Sequence, residues 1–240
     1  MPVSIEQYGT NSLPASIEFT WPEGAPGADL LGVAFVAGRG QCGNYVNFIP
    51  WSVPDDTFDS VDFIAGTDWT HIDGQYATGL SDFPTAMVYR YPTTGDDTQY
   101  ILWGGITGGS GRPRGHHVVR SGLTGPPTVT EKSVTSSSAS TFTSPNITAP
   151  GAGIIYFGFS YLHPGPSDNV NAPPGFVLDA VAPGVTLTRG YASPSFRPYS
   201  WFGYLEVSGA GTYNMTLNLT GKQLSGSHIQ MWQAAFFPSA

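Results

Sequence analysis

The chain has 240 residues, 17 acidic against nine basic side chains, a formal net charge of −8 and a single cysteine. Phosphate backbones are held by clustered Lys and Arg, so no nucleic acid is expected as a partner, and Cys42 alone makes no internal disulfide, so stability has to come from burial. Only 11% of the residues are charged, against about 25% in an ordinary globular domain, which leaves a surface of Ser, Thr, Asn, Gly and Pro suited to packed assemblies.

The first stretch, "MPVSIEQYGTNSLP" (1–14), has no basic start, apolar core and small-residue cleavage site, so no secretory signal is expected and assembly is expected in a cytoplasm. It carries Val3, Ile5, Tyr8 and Leu13 with nothing local to bury them. Residues 1–15 are therefore expected to form an arm that orders on a partner, with those four side chains as its contacts.

Beyond it, 31 glycines and 21 prolines break the chain too often for long helices. The aromatic and β-branched runs between the breaks predict strands at 16–20, 30–37, 45–49, 60–65, 69–72, 85–91, 98–106, 116–121, 153–160, 176–181, 185–191, 200–207, 212–219 and 228–237. The class is all-β, with enough strands for one large sandwich or two stacked ones. "TAMVYRY" (85–91) and "TYNMTLNLT" (212–220) alternate as half-buried strands do. Each is read as part of a hairpin, 85–91 with 98–106 through "PTTGDD" and 200–207 with 212–219 through "SGAG".

The order apolar strand, Pro-rich middle, aromatic hairpin, His-led strand occurs twice. "ADLLGVAFVAG", "IPWSVPDD", "MVYRYPTTGDDTQYILWGG" and "RGHHVVRSG" are followed by "AGIIYFGFSYL", "NAPPGFVLDA", "WFGYLEVSGAGTYNMTLNLTG" and "GSHIQMWQAAFF". Two similar β units are expected, at 16–127 and 151–240. The Ser/Thr-rich stretch 128–150 reads as an extended linker or an exposed edge strand. The apolar run that ends the sequence, "SHIQMWQAAFFPSA" (227–240), falls short of the roughly 20 apolar residues a membrane helix needs. It is expected to be the closing strand of the second unit, covered on both faces.

No motif selects a catalytic or cofactor site. "GRGQCG" (38–43) has the Gly spacing of a dinucleotide loop, but the helix that must follow is replaced by "NYVNFIPWSVPDD". Asp55, Asp56, Asp59 and Asp62 offer oxygen ligands but lack the Gly and distal Glu of a calcium loop. His116 and His117 are adjacent and face opposite sides of a strand, and His71, His163 and His228 are scattered. Cys42 has no local activating partner, and nothing pairs two carboxylates for glycoside hydrolysis. No cofactor and no metal are expected. Of Trp21, Trp51, Trp69, Trp103, Trp201 and Trp232, most are expected in the core, with Trp51 and Trp69 better placed to stack on sugars. The sequons at Asn146, Asn214 and Asn218 read as chance.

The strand "DLLGVAFVAG", the segment "AMVYRYPTTGDDTQYILWGG", the spacer "TSPNITAPGAGIIYFGFSYL", "VSGAGTYNMTLNLTG" and the closing "WQAAFFPSA" together span residues 30–240. In this arrangement the sequence resembles tailed-bacteriophage virion proteins with jelly-roll-like β-sandwich domains, found as capsid decoration or cement proteins and as head or tail fibre components. The resemblance implies a non-enzymatic structural protein on the outer surface of the virion, a homo-oligomer, with the major capsid protein or other virion proteins as partners. It leaves the Arg-containing loop 109–117 without a role. A minor tail or fibre protein binding host surface glycans is the second expectation, and a secreted carbohydrate-active enzyme or binding module the third.

Overall fold

A computed structural model describes residues 4–9, 16–20, 30–37, 42–50, 70–76, 85–91, 99–106, 114–137, 139, 141–162, 177–180, 186–188, 199–220 and 228–240. Every regular element among them is a strand, as the density of Gly and Pro breaks predicts. The chain divides into two compact units, Met1–Leu123 and Thr124–Ala240.

The first unit contains β1 (Ser4–Gly9), β2 (Ser16–Thr20), β3 (Leu30–Ala37), β4 (Cys42–Pro50), β5 (Thr70–Tyr76), β6 (Thr85–Arg90), β7 (Gln99–Ile106) and β8 (Arg114–Ser121). They form a sheet ordered β1-β8-β3-β6-β5 and another ordered β2-β7-β4. All pairings are antiparallel, and three are nested along the chain: β1 with β8, β2 with β7 and β3 with β6. Ser4–Gly9 lies within the stretch expected to be an arm that orders on a partner, and among the described residues it is one of the two edge strands of this sheet.

The second unit contains β9 (Val129–Ser137), β10 (Thr141–Thr143), β11 (Ile147–Ala149), β12 (Ala152–Leu162), β13 (Val177–Ala180), β14 (Thr186–Thr188), β15 (Tyr199–Ser208), β16 (Gly211–Tyr213), β17 (Thr216–Thr220) and β18 (His228–Pro238). Its sheets are ordered β14-β15-β12-β18-β9 and β10-β17-β13, with a two-stranded β11-β16 ribbon. The nesting runs β9 with β18, β10 with β17, β11 with β16 and β12 with β15. The stretch 128–150 supplies β9, β10 and β11, and of its two readings, linker or exposed edge strand, β9 follows the second. Its longest strand, β9, occupies a sheet edge, where Ser, Thr, Glu131 and Lys132 keep the open backbone polar.

Neither expected hairpin is one. β6 pairs with β3 and β5 while β7 pairs with β2 and β4, and β15 and β17 likewise belong to different sheets. The strands on either side of each expected turn therefore lie in different sheets. "TAMVYRY" also departs from half-burial: Met87 and Val88 are both fully buried although they point to opposite faces, and Arg90 is 8% exposed.

The core of the second unit lies between its sheets. Ile155, Phe157 and Phe159 of β12, Trp201 of β15 and Trp232, Ala234 and Phe236 of β18 meet Phe142 of β10 and Leu217 of β17. The rings of Phe142 and Phe159 approach to 5.2 Å across the layer, and Phe159 and Trp232 to 4.6 Å within the sheet. On the opposite face Tyr156 stacks on Phe202 at 5.7 Å and meets the edge of Phe237.

β18 is the strand expected from "SHIQMWQAAFFPSA". It sits between β12 and β9, and Met231, Trp232, Ala234, Ala235, Phe236 and Phe237 are all buried. Alternate side chains point to opposite faces, so a run buried throughout requires cover on both, and each large side chain so buried contributes about 1.5–3 kcal/mol.

Candidate functional site

The best-defined exposed feature is a polar ribbon in the second unit. In β10 Phe142 is buried while Thr141 and Thr143 are exposed, and in β11 Ile147 and Ala149 are buried while Thr148 is exposed. Period-two alternation turns each apolar residue into the core and each Thr outward. Cross-strand pairing then sets the outward residues against their like: Thr143 Oγ1 lies 3.2 Å from Thr216 Oγ1 and Thr148 Oγ1 lies 3.2 Å from Thr212 Oγ1. Between these rungs Asn214 Nδ2 donates to Asn146 Oδ1 at 3.0 Å.

The ribbon is held rigidly from below. Tyr213 donates its hydroxyl proton to the Gly209 carbonyl at 3.2 Å, and the Met215 amide donates to Ser144 Oγ at 2.9 Å. The resulting surface carries hydroxyls and amides that both donate and accept, and none of the ribbon residues named is charged. Such an array suits a neutral polar partner, a polyhydroxylated ligand or another Ser/Thr-rich protein surface, and its contacts are little screened by salt.

Of the residues expected to touch a partner, Ile5 and Tyr8 lie in β1, opposite Val119 and His116 of β8. Val3 and Leu13 lie outside the described residues. The "GRGQCG" stretch runs into β4, which begins at Cys42, so no helix N-terminus follows it. Asp55, Asp56, Asp59, Asp62, His163, Trp21, Trp51 and Trp69 lie outside the described residues, as does most of the loop 109–117.

His116 and His117 sit at neighbouring positions of β8, opposite Phe35 and Ala34 of β3. His71 lies opposite Val88 in β6 and His228 opposite Ser137 in β9. Among the described residues no three His, Cys, Asp or Glu side chains are grouped to hold a metal ion. Trp201 and Trp232 are core residues, as the weight of aromatics in β-sandwiches suggests, and Trp103 lies in β7 opposite Ser16. The sequon residues Asn146 and Asn214 are exposed and bonded to each other.

One titratable group in the first unit is strongly perturbed. Burial, with the neighbouring Tyr89 adding to it, pushes the Tyr91 hydroxyl up to about 12. The two rings meet edge to face at 6.4 Å.

The polar ribbon is absent from the sequence expectations, although its signal was present. "TFT", "NIT" and "YNMTLN" alternate polar and apolar residues, but which Thr faces which follows only from the register. No family model matches the chain, and no curated protein matches it. Among the described residues no helix is long and apolar enough to cross a membrane.

Proposed function

We propose that the chain is a non-enzymatic structural protein of a tailed-bacteriophage virion, built from two jelly-roll-like units in tandem and placed on the outer surface of the capsid as a decoration or cement protein. The observation that carries the architecture is the agreement of strand order. β1-β8-β3-β6-β5 corresponds position by position to β9-β18-β12-β15-β14, and β2-β7-β4 to β10-β17-β13. Nested antiparallel pairs that roll into two facing sheets are the plan of a jelly roll, and β11 and β16 add one more rung to that ribbon in the second unit.

Fold alone does not give function, so the virion assignment rests on the resemblance of the sequence and on the character of the surface. A net charge of −8 and a Ser/Thr/Asn exterior favour protein partners over nucleic acid: the major capsid protein, other virion proteins and further copies of the chain. Among the described residues β1 is an edge strand, and through that edge the N-terminal segment makes such a contact. The Thr/Asn ribbon favours one second reading, a minor tail or fibre protein whose uncharged polar face binds host surface glycans.

The test is to purify particles of the phage that encodes the chain, quantify it by mass spectrometry and locate it in an averaged particle image. Regular density on the capsid exterior at high copy number is the expected result. A few copies confined to the tail would replace it with the second reading, and absence from particles would remove both.

A further inference from the structure

We draw no further inference here: the strongest candidate, the largely apolar face of the β12/β15/β18 sheet turned away from the core of the second unit, where Ser160 and Gln233 are buried among Tyr156, Phe202 and Phe237, carries nothing because nothing in the structure shows what covers it.

Discussion

Ser144 and Met215 are joined twice. The Ser144 amide donates to the Met215 carbonyl at 2.8 Å, and the Met215 amide donates back to Ser144 Oγ at 2.9 Å. A side-chain oxygen thereby stands where the ladder between β10 and β17 would otherwise supply a carbonyl, and the ribbon passes its interruption at Asn214 and Met215 without leaving the buried Met215 amide unpaired. Ser144 Oγ also donates to the Pro145 carbonyl at 3.0 Å.

Replacing Ser144 by Ala should therefore cost more than an ordinary surface change. It removes the acceptor and leaves a buried N–H orphaned, a loss of about 1–3 kcal/mol. Chemical denaturation of the Ser144→Ala variant checks it, and a change within error of zero would show that the amide finds another acceptor.

The position of β18 between β12 and β9 predicts that a 1–227 fragment loses the second unit. The truncation opens two strand pairings and removes Trp232, Phe236 and their neighbours together. Trp232→Ala or Phe236→Ala alone should cost about 3–5 kcal/mol, a large part of a typical total of about 5–15 kcal/mol. A fragment that retains every calorimetric transition of the full chain would contradict this.

Gly203 lies against Trp201, and a Cβ built on it would fall on the indole ring. Trp201 is 1% exposed and packed in the core, so Gly203→Ala should destabilise by about 1–3 kcal/mol through overpacking. A double-mutant cycle with Trp201→Phe should show coupling, because the smaller ring vacates the contested space. Strict additivity would place the strain elsewhere.

Tyr91 gives a pH signature. Its hydroxyl is held up to about 12 against an ordinary 10.0, so between those values the folded chain keeps a proton that the unfolded chain has lost. Stability from this group is complete below pH 10 and falls as pH rises towards 12. Ultraviolet difference titration of wild type against Tyr91→Phe should remove one late-titrating tyrosine and flatten that part of the stability profile.

Replacing Thr143 and Thr216 together by Val should change stability by less than about 1 kcal/mol, since the pair is exposed and β-branched residues suit the strand. If the ribbon faces a polar partner, the same variant should bind particles or a host-glycan array more weakly. Unaltered binding would assign the partner contact to another face.

The sequence by itself determined the all-β class, most strand positions and the identity of the closing strand. Those follow from local chemistry: Gly and Pro exclude helix, alternation marks a half-buried strand, and a run such as "MWQAAFF" has to be covered twice. It also led to the expectation of two similar units. Pairing belonged to the tertiary structure. β6 follows into β7, and β15 into β16 and β17, through turns that look like hairpin loops, yet these strands belong to different sheets, because a nested roll pairs strands distant in sequence. The short strands β10 and β11 escaped notice because three residues carry too little periodicity, and β9 was legible only as one of two readings, linker or exposed edge strand, because Ser and Thr give it no apolar face of its own. The Thr143–Thr216 and Thr148–Thr212 rungs were equally invisible: alternation says that a Thr points outward, but only the register between strands some 70 residues apart decides what it faces.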